Sequence, residues 1–528
     1  MPRYAYDRLS AQDNLFLVAE SPTTPMHIGA VQIIEAGGLR SEVGGIDVAR
    51  FSSALAGVLH LIPRYRQKLR QPRLGARPVW IDDPHFDLAW HLRHSSLPRP
   101  GTLEQLKQFT ARVMSRALDR ARPLWEIWIV EGLAEGEQFA LISKIHHCML
   151  DGSAGADLAS VLASPRPDAG IAEPLPYLPR PAPSAAELLR NEIADRLRAP
   201  LRGLRALRSA PLRAERAPAW RERASALREV LGQTLLHPAS PTPINGELSP
   251  HRRVDWITMP LEDVRDVKGA LGCTLNDLVL AVVAGAVRRY LMLRRVDPAG
   301  IDFRISAPVN RRPEERRGQM GNFVSSWVVP LPIGEPEARR RVAAIRETTQ
   351  GLKRSRAALG VETLLGLAEW LPDPVIALAA RASAGPVNMI VTNVPGPQFP
   401  LYQLGAKLLG IYPLVPCLPG GGLGVALFSY DGKLCWGLNA DPGLVPDLPA
   451  FGRTVVDSFE ELRGLAVSTL TEPRRRAPVA VPAAEEQTAD KEKRRRPRKL
   501  GDGDGAQSLP ANARRTPRAV PPARAFGG

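Results

Sequence analysis

Hydrophobic positions along the chain switch repeatedly between a period near 3.6 and a period of two, the mark of mixed helix and strand. Val31-Gln-Ile-Ile-Glu35 alternates as a half-buried strand does, while Asp47–Leu61 and Gln105–Leu118 carry apolar residues at helical spacing. Glu126–Glu131 and Phe139–Ile145 read as paired strands around the turn Leu133-Ala-Glu-Gly-Glu137. Further on, Leu261–Lys268 has a helical pattern, and Thr274-Leu-Asn-Asp277 opens a long apolar helix, Leu278–Leu291. The Thr274 and Asp277 spacing fits a capping box with Asp in place of the usual Glu. Phe303–Pro308, Ser325–Pro330, Val387–Val391, Leu423–Tyr430 and Lys433–Leu438 read as strands. The last two join through Asp431-Gly432, a hairpin-turn pair.

These patterns divide the chain into an N-terminal globular unit, residues 1–165, and a second unit, residues 250–470. Between them, residues 166–249 hold a proline-rich linker and a basic amphipathic stretch, Glu187–Leu231. There Leu189, Ile193, Leu197, Leu201, Leu204 and Leu207 fall at three- and four-residue spacing, flanked by Arg190, Arg198, Arg202, Arg205 and Arg208. Two readings stay open: a helix lying on a membrane surface, or one packed on the protein with a solvated arginine face. Pro200 and Pro211 interrupt it. Residues 471–528 are rich in Pro, Ala and Arg and are expected to be disordered. The sequence carries no internal repeat.

Charge narrows the partners. The chain of 528 residues has a formal charge of +16. The tail holds 14 Lys/Arg and 7 Asp/Glu, so it supplies +7 and the remainder +9. Such a surface attracts anions such as phosphates or lipid headgroups, and a high arginine content from a GC-rich coding bias accounts for the charge at least as well. Nucleic acid is not expected, because no helix-turn-helix, zinc-finger or aromatic RNA-binding signature accompanies the basic runs. Cys148, Cys273, Cys417 and Cys435 are scattered, which argues against a disulfide scaffold or zinc cluster and for a reducing compartment. The first ten residues lack the apolar core of a signal peptide. The best transmembrane candidate, Thr363–Ala380, is broken by Glu369, Pro372, Asp373 and Pro374. The expected location is cytoplasmic, either free or peripheral at the inner membrane or lipid inclusions.

The richest chemistry lies in Ile145-His-His-Cys-Met-Leu-Asp-Gly-Ser-Ala154, at the end of an apolar run. A histidine at a strand end is a candidate general base. Strand alternation would put His147 with Phe139, Leu141 and Ile145, and His146 with Ala140, Ile142 and Lys144. Both faces are partly apolar, so alternation does not choose between them. Asp151 can fix the local geometry by ion pairing, and Gly152 lets the backbone turn. Ser153 lacks a G-x-S-x-G elbow, so a serine hydrolase is unsupported. His85, His91 and His94 cluster without an H-E-x-x-H or carboxylate companion, so no metal site is expected. Gly420–Gly424 leads into a strand rather than a helix, the wrong context for a dinucleotide. Cys148 reads as a small packing residue.

Several blocks in order resemble one family. They are Arg120-Ala-Arg-Pro-Leu-Trp-Glu126, His146-His147-x-x-x-Asp151-Gly152, Thr274–Ala281, Ala307-Pro-Val-Asn-Arg-Arg312, Met320-Gly-Asn322, Thr392-Asn-Val-Pro-Gly-Pro397, Pro400-Leu-Tyr402 and Ser429-Tyr-Asp-Gly432. Together they resemble the bacterial wax ester synthase/diacylglycerol acyltransferase family, within the CoA-dependent acyltransferases, over roughly residues 4–165 and 250–465. The resemblance implies an α/β (α+β) fold of two chloramphenicol-acetyltransferase-like domains, each a mixed sheet with helices, around a central tunnel. It implies transfer of a long-chain acyl group from acyl-CoA, a substrate rather than a cofactor, to diacylglycerol or a fatty alcohol. It makes His147 the general base, with no acyl-enzyme, and His146 a packing or positioning residue. Asp151 is read as structural support paired to an arginine, with an acidic catalytic partner as the other reading. Asn276 either donates a hydrogen bond to substrate or oxyanion, or makes a capping or buried polar contact. The alternatives are an acyltransferase that esterifies a polyketide or glycolipid hydroxyl, and a non-catalytic lipid-surface protein.

Overall fold

The computed structural model describes residues 6–42, 44–72, 77–149, 162–168, 170, 172–194, 238–310, 324–354 and 387–471. In chain order the strands are β1 (Tyr6–Arg8), β2 (His27–Glu35), β3 (Gln67–Arg70), β4 (Val79–Asp82), β5 (Leu92–Ser96), β6 (Trp125–Leu133), β7 (Gln138–His146) and β8 (Ala163–Ser164). They continue with β9 (Arg253–Pro260), β10 (Phe303–Asn310), β11 (Val324–Leu331), β12 (Met389–Pro395), β13 (Tyr402–Gln403), β14 (Ala406–Leu414), β15 (Leu423–Tyr430) and β16 (Lys433–Ala440). The helices used below are α1 (Ala11–Ala19), α2 (Val48–Val58), α3 (Leu103–Ser115), α4 (Leu261–Leu271), α5 (Leu275–Leu293), α6 (Ala338–Arg354) and α7 (Leu448–Thr471).

Two large mixed sheets carry the architecture. The first runs β5-β6-β7-β2-β14-β13-β8, antiparallel except for the parallel β5–β6 pair. The second runs β11-β10-β12-β15-β16-β9, with β12 parallel to both β10 and β15. A small antiparallel sheet, β1-β4-β3, stands apart. The mixed α/β architecture expected from the sequence is thus present.

The central hairpin forms for local reasons. Between β6 and β7 the chain reverses through Gly132, Ala134, Glu135 and Gly136, all at positive φ. β7 is buried at every position from Phe139 to His146, which explains its unbroken apolar run. The hairpin of β15 and β16 turns on Asp431 (φ 43°) and Gly432 (φ 73°), both in the left-handed region that a type I′ turn requires.

Helix α4 ends at Gly272, in the left-handed conformation. Thr274 then starts α5 with a capping box, in which Asp277 supplies the reciprocal half. The two helices meet at 96°. Leu278 to Val287 of α5 are buried throughout, against α7 and the second sheet, so this apolar run is a core helix. No single helix among the described residues is long and apolar enough to cross a membrane. Thr363–Ala380 lies outside the described residues.

The sequence patterns missed the strand that links the sheets. β14 comes from the second half of the chain yet pairs with β2 of the first sheet, from Leu414 opposite Gly29 to Leu408 opposite Ile34. It also packs against β15 and β16. Gly437 of β16 permits this: a Cβ there would sit 1.7 Å from the Pro413 carbonyl oxygen. Val254, Trp256 and Leu414 share one apolar cluster with Val31, Ile33 and Val113. Arg252 adds a polar tie. Its guanidinium lies 3.4 Å from Asp441, both side chains fully buried, and it donates to the Thr23 carbonyl at 2.6 Å.

The proline-rich linker is extended but fastened. Tyr177 donates to the Arg66 carbonyl (3.1 Å), and Arg180 grips Asp82 through Nε (3.0 Å) and a terminal nitrogen (2.8 Å). Residues 185–194 are helical, whereas the rest of the basic amphipathic stretch, to Leu231, lies outside the described residues.

Candidate active site

Strand β7 delivers both histidines. His146 is its last residue, and His147 opens the one-turn 3₁₀ segment His147–Met149. Strand alternation therefore stops one residue short of His147, and the face assignment expected from parity does not hold for it. The backbone fixes both residues: His146 N–H donates to the Leu124 carbonyl and His147 N–H to the Met26 carbonyl, each at 2.9 Å. Leu124 belongs to the Arg120–Glu126 block, so two segments singled out separately in the sequence meet here.

His146 is fully buried, with Nδ1 hydrogen-bonded and Nε2 turned toward a carboxylate. Nδ1 accepts the Cys148 backbone N–H at 3.2 Å, which leaves the proton on Nε2. Nε2 faces Glu20 Oε1 at 3.3 Å, without hydrogen-bond alignment. Glu20, the residue that ends α1, is itself held by Arg120 through Nε at 3.0 Å and a terminal nitrogen at 2.5 Å. Burial alone would raise the Glu20 carboxyl; His146 and Arg120 outweigh it and hold it at about 2.

His147 is placed differently. Its ring stacks on Phe16 of α1, centroids 3.7 Å apart and planes 17° apart. Its Nδ1 is buried without a hydrogen-bond partner among the described residues. Burial lowers its pKa to about 4, so the imidazole is neutral at pH 7. A neutral imidazole is the form able to accept a proton.

Around them, His27 lies opposite His146 across β2 and β7 and bonds the Met114 carbonyl at 2.8 Å. Burial, reinforced by Lys144, pushes its pKa well below the ordinary histidine value. Lys144 is completely buried and pairs with Glu126 at 2.9 Å. Burial raises the Cys148 thiol well above its usual range, consistent with packing rather than nucleophilic work. A cavity of about 390 Å³ lies beside α1, lined by Asn14, Leu17, Val18, Leu69, Gln71, Pro78 and Arg120.

Asp151 and Gly152 lie outside the described residues. Asn276 is the second residue of α5 and is exposed; the capping contact falls to Asp277 instead. Asp277 also accepts from Thr349 of α6 at 2.7 Å. His91 is buried against Phe86 and Trp125 and bonds the Trp125 carbonyl at 2.8 Å, and His94 pairs with Glu131 at 2.5 Å. Among the described residues no cluster of histidine, cysteine and carboxylate side chains could hold a metal ion. Glu20, Phe16 and His27 were not singled out from sequence. Glu20 sits in Ala-Glu-Ser-Pro-Thr-Thr-Pro25, which reads as an ordinary turn.

The comparisons with known proteins converge. Residues 9–279 match the wax ester synthase/diacylglycerol acyltransferase catalytic domain, and residues 320–463 match the C-terminal domain of the same family. The chain is 33% identical over 470 residues to a putative diacylglycerol O-acyltransferase of Mycobacterium tuberculosis, covering 87% of this chain and 89% of the relative. A probable diacylglycerol O-acyltransferase of the same organism is 32% identical over 465 residues, 86% of this chain and 96% of the relative. The solved wax ester synthase/diacylglycerol acyltransferase of Marinobacter aquaeolei superposes with a TM-score of 0.62 at 27% identity, covering 87% of this chain and all (100%) of that one. The first condensation domain of the calcium-dependent antibiotic synthetase, at 19% identity, shares the fold: its TM-score is 0.55 over 88% of this chain and 97% of that one. The chain belongs to the wax ester synthase/diacylglycerol acyltransferase family and is an O-acyltransferase.

Proposed function

We propose that the protein transfers a long-chain acyl group from acyl-CoA to the hydroxyl of diacylglycerol, a fatty alcohol, or both, with His147 as general base. The observation that carries this reading is the contrast between the two histidines. His146 accepts the Cys148 N–H at Nδ1, which leaves that nitrogen no lone pair for a proton, and its Nε2 faces the Glu20 carboxylate at 3.3 Å. His147 is neutral, beside Phe16, with an unpartnered Nδ1.

In the proposed step the acceptor oxygen attacks the thioester carbonyl while His147 takes the hydroxyl proton. The tetrahedral intermediate collapses, the C–S bond breaks, and the CoA sulfur recovers that proton from His147. Protons balance and no acyl-enzyme forms, because alignment of the two substrates replaces a covalent carrier. Asn276 at the start of α5 is the proposed donor to the oxyanion, and Asp151 with Gly152 the proposed structural support of the histidine turn. The names of the Mycobacterium relatives favour diacylglycerol as acceptor.

We place the reaction in the cytoplasm, at a lipid surface that holds the acceptor. Leu175 and Leu178 support this: they are 56% and 86% exposed on the fastened linker that leads toward the basic Leu/Arg stretch. Liposome sedimentation with residues 185–235 deleted tests it; unchanged binding refutes the membrane role of that segment. The catalytic reading is tested by CoA release from palmitoyl-CoA with hexadecanol or dipalmitoylglycerol offered separately. Acceptor-dependent release supports it. Release that appears only with a polyketide or glycolipid hydroxyl moves the acceptor to those classes.

A further inference from the structure

We infer that Glu20 is a positioning residue that sets both histidines from one carboxylate, so that Arg120, Glu20 and the Met26 peptide form the frame of the catalytic turn. The inference rests on the reading of His147 as the base.

Two connections leave the same oxygen. Glu20 Oε1 faces His146 Nε2 at 3.3 Å, and it also accepts the Met26 backbone N–H at 3.2 Å. The other side of the Met26 residue closes the path, since its carbonyl accepts the His147 N–H at 2.9 Å. One carboxylate therefore fixes the His146 ring and, through one residue, the backbone of His147. Its second oxygen is taken by Arg120, whose guanidinium also donates to the Leu17 carbonyl at 3.1 Å. Leu17 and Phe16 lie in α1, and Phe16 covers the His147 ring. Removing the negative charge weakens the hold on the His146 ring and the Arg120 guanidinium together, because both face this one carboxylate.

The loop that carries Glu20 is anchored from the far side as well. Ser21 and Thr24 exchange backbone hydrogen bonds at 3.2 and 3.0 Å, and the Thr23 carbonyl is gripped by Arg252. Glu20 is thus placed by both halves of the chain. The geometry also settles the tautomer. With Nδ1 accepting from Cys148, the proton sits on Nε2, 3.3 Å from the carboxylate, so His146 has no lone pair free to take a proton from a substrate hydroxyl. A carboxylate placed beside an imidazole is a recurrent device for fixing tautomer and ring angle. Here it orients the neighbour of the base rather than the base itself.

The test compares wild type, Glu20→Gln, Glu20→Asp and His147→Ala as full-length proteins, all with palmitoyl-CoA and the acceptor that supports release. Glu20→Gln is expected to lower kcat by about ten- to a hundredfold while KM for palmitoyl-CoA stays within about twofold, because a misplaced catalytic group costs rate rather than binding. Glu20→Asp, which keeps the charge on a shorter arm, is expected to recover part of that kcat. A kcat within twofold of wild type for Glu20→Gln, with His147→Ala inactive, overturns the role of Glu20 and leaves the base assignment standing. Retained activity in His147→Ala overturns the base assignment instead. If Glu20→Gln falls together with its thermal midpoint, Glu20→Asp decides: a kcat per folded molecule that stays below wild type supports a positioning role, and a kcat per folded molecule equal to wild type contradicts it.

Discussion

Phe16 and His147 lie ring on ring, 3.7 Å between centroids, and this contact keeps water from one face of the imidazole. Replacing Phe16 by alanine exposes that face. The His147 pKa then rises from about 4 toward its ordinary value, since burial is the main cause of the depression. The predicted outcome is an acid limb of kcat/KM that moves upward by at least half a pH unit, on the order of the shift expected for partial rehydration. An unchanged limb would show that Phe16 does not control solvation of the base.

The wild-type profile follows from the same shift. His147 is depressed in the fold, from 6.5 to about 4, so the unfolded chain binds its proton at a higher pH than the folded one. Its contribution to stability is complete above 6.5 and declines as pH falls toward about 4. The base form persists over the same interval. A kcat/KM profile that is flat from pH 8 to about 5.5 is expected. A limb centred near 6.5 would place the working base on an ordinary, solvated histidine.

Arg252 and Asp441 carry a different kind of prediction, about stability. The pair is almost wholly buried, at 2% and 1% side-chain exposure. Asp441 also accepts from the Ser249 N–H at 2.6 Å and hydroxyl at 2.9 Å. Arg252→Met leaves that carboxylate without its cation and frees the Thr23 carbonyl, with an expected cost of about 3 kcal/mol in urea unfolding. The double variant Arg252→Met/Asp441→Leu should cost less than the two single changes summed. Strict additivity would mean that the two side chains do not interact energetically.

Much of the fold was legible because its signals are local. The β6–β7 hairpin announces itself by apolar runs around a glycine-containing turn, and the Thr274/Asp277 capping box by residues three apart. The β15–β16 turn needs only Asp431-Gly432. β14 was not legible, because its partner β2 lies more than 370 residues earlier in sequence and nothing in Ala406–Leu414 encodes that choice. The candidate site divides in the same way. His146 and His147 stood out as a pair, but parity could not separate them, since the strand ends between them. Their separation depends on Glu20 and Phe16, more than 120 positions away, in a segment that reads as an unremarkable helix and turn.

The most direct measurement is the steady-state rate of CoA release by His147→Ala, with palmitoyl-CoA and the preferred acceptor, in protein that retains the wild-type unfolding midpoint. The expected result is a loss in kcat on the order of a hundredfold to ten-thousandfold, the range for removal of a positioned general base. A rate within a few-fold of wild type would contradict it and return the proton transfer to another group.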